Sequence, residues 1–387
     1  MLSRVPYPLI KGDKLRAYHH IRELSRKHEI ILCALSDETP HPQALSELEK
    51  YCSQVHIFRL SKTRIFLGLV QAFFNRKPLQ VGYFCDSKIK NRVKQIIDAV
   101  KPEHIFCQLI RVSEYVKEYN IPKTLDYQDV FSKGVGRRIK TVPYILKPLF
   151  GMEYRRLLRY EREIFGCFNH KIIISKPDRD LIPHKDNQLI HVVPNGVDLA
   201  YFSPRTAEKE YDLVFTGNMA YPPNVNAVMF LVKEILPQLR KHKPEIKILI
   251  AGAHPVRPIR CLQSENVHVT GWVEDLRDCY ARSKIFIAPM QIGTGLQNKL
   301  LEAMAMQLPC VSSDLANRAL CAQNGREILL GFEPEEYVGH ILNLLNDNAF
   351  ADEIARNGSR FVKENYNWES LTTQLDQIIT GCDKANF

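Results

Sequence analysis

The sequence predicts an α/β protein of two similar domains, each built on a parallel sheet covered by helices. Three observations lead there. The 387 residues are too many for one ordinary compact core. Short β-rich runs alternate with longer helical patterns, which is the rhythm of parallel sheets. The alternation also starts afresh halfway along the chain, so a second sheet follows the first.

In the first half the predicted strands are EIILCAL (29–35), QVHIFRL (54–60), HIFCQLI (104–110), TLDY (124–127), KIIIS (171–175) and LIHVVPN (189–195). Helical patterns lie between them. In KLRAYHHIRELSRK, for example, Leu15, Tyr18, Ile21 and Leu24 recur on one face. The second half reads YDLVFTG (211–217), IKILIAG (246–252), VHVTG (267–271), KIFIAPM (284–290) and LPCVSS (308–313). A turn signal, a proline and a charged stretch in 195–211 place the join there. The expected division is a first domain over 1–203, a second over 204–364, and a last helix over 365–387 that packs back on the first. Only five residues precede PYPLIKGDK, too few for the strand that should lead into such a loop. The first sheet is therefore expected to lack its usual opening strand.

Composition narrows the class. Hydrophobic residues at 45% and charged residues at 25% exclude disorder, collagen and repeat arrays. Ten cysteines without a CxxC pair or a Cys/His cluster read as reduced, mostly buried thiols, and so point to the cytoplasm. No signal-peptide core and no run of roughly 20 apolar residues is present, so the expectation is a cytoplasmic protein, if membrane-bound then peripherally, on the inner face of the plasma membrane. The net charge of +10 suits nucleic acid, anionic lipid or a phosphorylated substrate. Basic residues concentrate in 137–162, and Arg64, Arg76 and Lys77 bracket an apolar run in 64–77. That run reads either as a buried helix with solvated ends or as an element of a membrane-surface patch. Aromatics are too sparse in 137–162 for a nucleic-acid face, so no nucleic acid is expected.

The most informative stretch is GTGLQNKLLEAMA (293–305), a glycine-flanked loop running into strong helix formers. A helix start offers unpaired amides and a positive dipole end, which together suit a phosphate or diphosphate. Lys299 stands in the first turn, where a cation opposes the dipole unless an anion is present. Glu302, three residues on, can pair with Lys299 or accept from ribose hydroxyls. FTGNMAYPPNVNAV (215–228) repeats the strand-loop-helix logic with Gly217, Asn218 and Asn224. PYPLIKGDKLRAYHH does so in the first half, with Gly12 at the turn and Lys11, Lys14 and Arg16 around it. Polar loops at strand ends from both halves would face one cleft. Other signals are weak. Asp178 and Asp180 form a D-x-D, His19 and His20 read as surface or interface residues, and no metal site is expected. GxGxxG and GxxxxGK[ST] are both absent, which argues against dinucleotide oxidoreduction and P-loop chemistry.

PNGVDLAYFSP, FTGNMAYPPNVNAV, VHVTGWVEDLRDCYARSKIFIAP and GTGLQNKLLEAMAMQLPCV, in that order, resemble family 4 of the retaining glycosyltransferases. More closely, PYPLIKGDKLRAYH and LQNKLLEAMAM resemble the sugar transferases associated with bacterial exopolysaccharide and exosortase systems. The resemblance implies the GT-B fold, two Rossmann-like domains facing a cleft. It implies a nucleoside diphosphate sugar as donor, no cofactor or metal, and a glycan or lipid-linked glycan as acceptor. Gly295, Leu296, Gln297 and Asn298 with Lys299 would hold the diphosphate and Glu302 the ribose, with Trp272 and Asp275 beside the base. Gly12 and Asp13 would approach from the first domain. In LDYQDVFSKGVGRR, Asp126 and Asp129 are acceptor-side candidates, and Asp126 joins Lys299 and Asp13 as a candidate catalytic residue. Many family members carry Glu-x7-Glu, whose first glutamate touches the donor sugar. Here Thr294 stands at that position. A sugar-nucleotide epimerase of the same architecture and a silent nucleotide-binding module are the alternatives.

Overall fold

Uninterrupted runs of Ile, Val, Leu and Phe give short strands buried on both faces, as parallel sheets require. The computed structural model describes residues 1–140, 142–293 and 295–381. It divides into two units, Met1–Pro194 with the described chain from Leu371, and Asn195–Ser370.

The first unit contains β1 (Ile31–Ser36), β2 (Gln54–Arg59), β3 (Ile105–Gln108), β4 (Lys123–Asp126), β5 (His170–Ile173) and β6 (His191–Val192). β1 pairs with β2, and β3 to β6 pair in sequence order, all parallel. Met1 and Leu2 pair with the strands on either side of them. Leu2 donates to Cys33 O at 2.9 Å and accepts from Leu35 N at 3.0 Å, while Met1 O accepts from Gln108 N at 3.0 Å. These residues thus bridge β1 and β3, giving the spatial order of a dinucleotide-type doubly wound sheet. The last helix, Trp368–Thr380, sets Leu375 and Ile378 against Ile172 and Val193.

The second unit contains β7 (Tyr211–Thr216), β8 (Ile248–Ala251), β9 (Val267–Gly271), β10 (Ser283–Ala288), β11 (Cys310–Ser313) and β12 (Leu329–Gly331). Their order is β12-β11-β10-β7-β8-β9, again all parallel. The segment expected to end the first domain belongs here instead. Val197 is buried in this core, its amide donates to Tyr366 O at 2.9 Å, and Leu199 and Phe202 pack beside it.

Two expectations change in the first unit. Arg16 and Asp126, expected at the donor and acceptor, are both fully buried and hold each other. Arg16 Nε donates to Asp126 Oδ2 at 2.7 Å and its Nη1 to Pro194 O at 3.1 Å. Enclosure in the middle of the sheet keeps both from a substrate, and the pair ties the Gly12–Leu24 helix to the end of β4. His19 and His20, expected at the surface or at an interface, are buried, and His20 Nδ1 lies 2.9 Å from Thr372 Oγ1 on the last helix. The nine described cysteines are free thiols. Ser175 caps the Lys176–Leu181 helix, its Oγ accepting from Asp178 N at 3.3 Å and donating to Asp178 Oδ2 at 2.6 Å, so the first D-x-D carboxylate is held by the cap.

Breaking a buried ion pair leaves an uncompensated charge, so Asp126→Ala is expected to cost about 3–5 kcal/mol. Urea unfolding followed by hydrogen exchange at the β4 amides measures this. A carboxylate that served only the reaction would leave the midpoint unchanged.

Candidate functional site

In the second unit β7 lies beside β10, and the chain leaves them in opposite directions, toward β8 and toward β11. Such a switch point opens a crevice at the carboxyl ends of the strands, where open α/β sheets bind ligands. Two loops border it, residues 217–221 after β7 and, after β10, residues 289–293 and 295–297.

Backbone packs against backbone at this edge. Gly217 has φ +148° and Gly252 φ +145°, and a side chain at Gly252 would run into the Gly217 carbonyl. A Cβ at Gly217 would come within 2.6 Å of Asn224 Nδ2 and 3.5 Å of Lys299 Nζ. Only glycine fits there. Asn218 shapes the loop, accepting from Ala220 N through Oδ1 at 2.9 Å and from Asn224 Nδ2 through its carbonyl at 2.9 Å.

After β10 the chain enters the Asn298–Ala305 helix. Leu300, Leu301, Ala303 and Met304 bury one side of it and fix it in the core. Its N-cap, Gln297, makes no capping bond. The Gln297 amide turns back to Gly295 O at 2.9 Å, and the first turn carries no acid. Leu296 packs against the core, and Asn298 Oδ1 accepts from Asn195 Nδ2 at 3.3 Å. The helix start is therefore built but uncapped by any side chain, which is the condition for receiving an anion. Thr294 lies outside the described residues.

Lys299 keeps some accessible surface, yet its ammonium group sits in a tight nest. It donates to Asn224 Oδ1, lies 4.5 Å from the Phe215 ring centroid, and is 3.9 Å from Met290 Sδ. Burial pushes its pKa down to about 7, with the nearby Glu302 charge opposing the shift. Glu302 is moved the other way, upward, again by burial, against the Tyr280 hydrogen bond and the Lys299 charge. Tyr280 OH donates to Glu302 Oε2 at 2.8 Å and lies 2.8 Å from Thr216 Oγ1. Phe215, Thr216, Tyr280 and Met290 were not among the sequence candidates. Nothing in their local pattern marks them, since a buried Tyr at the end of a short helix reads as core.

The remaining candidates are dispersed. Trp272 follows β9 and is 71% exposed. Asp275 is committed elsewhere. It caps the Leu276–Ala281 helix by accepting from Arg277 N at 2.9 Å, grips the Arg277 guanidinium at 2.6 Å and takes Arg205 Nη1 at 3.2 Å. The Arg277 hydrogen bonds hold its pKa down, at about 2. Gly12 and Asp13 begin a helix of the first unit. Space around Gly12 is open, and Asp13 Oδ2 accepts from Arg4 Nη1 at 2.6 Å.

Gly217→Ala is expected to destabilise the protein by about 1–3 kcal/mol, through its positive φ and the Asn224 clash. Gly295→Ala, with nothing within 4 Å of the added carbon, should stay within about 0.5 kcal/mol of the parent. Urea titration of the two variants side by side reads the difference.

Comparison with known proteins adds an independent line. The family described as glycosyl transferases group 1 matches residues 210–347. An uncharacterized 44.6 kDa protein in the cps region of Klebsiella pneumoniae is 24% identical, with 96% of each chain covered. The Escherichia coli UDP-Gal:alpha-D-GlcNAc-diphosphoundecaprenol alpha-1,3-galactosyltransferase is 20% identical over 62% of this chain and 66% of that one. Among solved structures, sucrose-phosphate synthase from Thermosynechococcus elongatus superposes with a TM-score of 0.69 at 14% identity over 98% of both chains. Anabaena HepE in complex with UDP and glucose gives 0.68 at 13% identity over 98% of both. These likenesses show the GT-B fold. The matched stretch contains all six strands of the sheet whose switch point carries Lys299, and the comparisons together support a glycosyltransferase of the group 1 type.

Proposed function

We propose that the protein transfers a sugar from a nucleoside diphosphate sugar to an exopolysaccharide or other cell-envelope glycan acceptor carried on a lipid, with retention of configuration. It would act at the inner membrane face. The observation that carries the donor assignment is the Lys299 ammonium, nested on Phe215 and Asn224 beside an uncapped helix start. A diphosphate fits both features, because its negative charge balances the helix amides and the buried lysine. As the bond from the anomeric carbon to the diphosphate breaks, negative charge grows on the leaving oxygen, and the same groups stabilise it. On this reading no metal is needed for departure. Glu302, braced by Tyr280, accepts from ribose hydroxyls. The acceptor class follows the K. pneumoniae cps-region and E. coli relatives, the latter named for a diphosphoundecaprenol-linked acceptor.

The test is incubation with a panel of labelled nucleotide-sugars, with and without a lipid-linked acceptor, and NMR of the product's anomeric centre. Conversion of the nucleotide-sugar to its epimer without acceptor would overturn the transferase reading. An inverted product would overturn retention alone.

Lys299→Ala is expected to weaken binding of UDP or GDP by about 1.5–3 kcal/mol, the worth of a charged phosphate contact. Calorimetry that shows unchanged affinity removes the diphosphate assignment. The lysine also links binding to pH. Free Lys299 is half-protonated near pH 7, and a bound diphosphate raises that pKa. Above pH 7 binding therefore takes up a proton, and affinity falls as pH rises, by at most about tenfold per unit. Calorimetry at pH 8 in buffers of different ionisation enthalpy should show the uptake in the parent and its loss in Lys299→Ala.

A further inference from the structure

The Lys62–Phe74 helix of the first unit has its faces reversed. A helix on a protein surface normally turns its large apolar residues inward. Here the buried residues are Gly68 and Ala72, packed so closely on Gly82 of the Leu79–Phe84 helix that a Cβ on either glycine would collide with its neighbours. The large residues point out. Phe66, Leu67, Val70, Phe73 and Phe74 are 64%, 51%, 37%, 48% and 76% exposed. Their spacing of i, i+1, i+4, i+7 and i+8 puts them in one stripe of about 120° on a helix of 3.6 residues per turn.

A second apolar element continues this face. Tyr144, Ile145 and Leu149, at the start of the Lys147–Phe165 helix, are 86%, 84% and 43% exposed. Arg156 of that helix joins the two. Its guanidinium donates to Ala72 O at 3.3 Å and Phe73 O at 2.9 Å and lies 5.3 Å from the Phe73 ring. Leu149 is two turns, about 10 Å, from Arg156 on the same side of the helix.

The charge around this face has one sign. Residues 62–85 and 130–152 contain nine lysines and arginines and no acidic residue. Lys77 and Arg64 pair with Glu114 and Asp86 from outside these segments. Lys62, Arg76, Lys140 and Lys147 stand exposed.

We infer that this face is a membrane-docking surface, in which the outward stripe of the Lys62–Phe74 helix and the apolar residues of 144–149 enter the headgroup boundary of an anionic bilayer. The inference rests on the membrane-face reading proposed above and names the elements that make the contact. No helix among the described residues is long and apolar enough to cross a membrane, and a 13-residue helix is only about 20 Å long, so it lies in the interface. Charge decides against a second copy as occupant. Two such faces meeting would oppose cation to cation, whereas anionic headgroups neutralise them.

Flotation of the full chain with vesicles of phosphatidylglycerol and phosphatidylcholine tests this. The parent protein should co-float with mixed vesicles and not with pure phosphatidylcholine. Phe66→Ser with Phe74→Ser, at exposed positions, should reduce vesicle binding by about tenfold or more. In Phe74→Trp the added indole should shift its emission to the blue on vesicle addition. Transfer to a short-chain, water-soluble acceptor analogue should be unchanged in the double serine variant. Failure of the parent to co-float, or equal flotation of the double variant, overturns the docking surface even while soluble transfer persists. Co-flotation without any transfer overturns the proposed reaction and leaves the surface standing. A dimer in light scattering that the double variant dissolves, with no flotation, assigns the face to a second copy and overturns the inference.

Discussion

The constraint on which the second unit turns is a lysine held where a lysine is costly. Lys299 stands at the positive end of a helix and is packed on Phe215, Asn224 and Met290. Dipole and burial both disfavour its charge. The surroundings are nevertheless built around it. Gly217 leaves the space, Asn224 is oriented by the Asn218 carbonyl, and Gln297 withholds the cap that would satisfy the helix start. On the proposed reading, the donor's diphosphate completes all of these at once.

Glu302 shows the complementary device. Its carboxylate is anchored by Tyr280, which also reaches Thr216 at the end of β7, so helix, strand and neighbouring short helix are tied through one hydroxyl. A side chain so held loses little further freedom when it meets a hydroxyl of a ligand. In the first unit the matching position of the sheet is organised differently. Met1 and Leu2 bridge β1 and β3, and the enclosed Arg16–Asp126 pair joins the first helix to the sheet. A charge pair of this kind does little for net stability but makes one register of helix on sheet the only satisfied arrangement.

Most of the fold was legible because parallel strands buried on both faces must be written as apolar runs. Eleven such runs were read, with ends displaced by at most three residues, and β12 was missed because Leu329, Leu330 and Gly331 are too short a signal. The uncapped helix start was legible too, because a lysine without an acid at a helix start is a local contradiction visible in seven letters. Asp275 misled for an equally local reason. An acid before a short helix can be a ligand residue or a cap, and Arg277 and Arg205 decide for the cap. His19 and His20 were left between surface and interface because polarity says nothing of the last helix, against which His20 packs.

Periodicity and turn chemistry by themselves determined two parallel α/β layers and a helix start at Lys299 without an acid in its first turn. Those properties are local, since each depends on residues within a turn or a strand of one another. What only the tertiary structure decided depends on partners far apart in the chain. Arg16 and Asp126, 110 positions apart, became a buried pair rather than reactive groups. Tyr280 found Glu302 across 22 positions. The run at 64–77 allowed two readings because its pattern does not say which side of a helix meets the protein. Gly82 settled that by accepting only Gly68 and Ala72, which turned the phenylalanines outward.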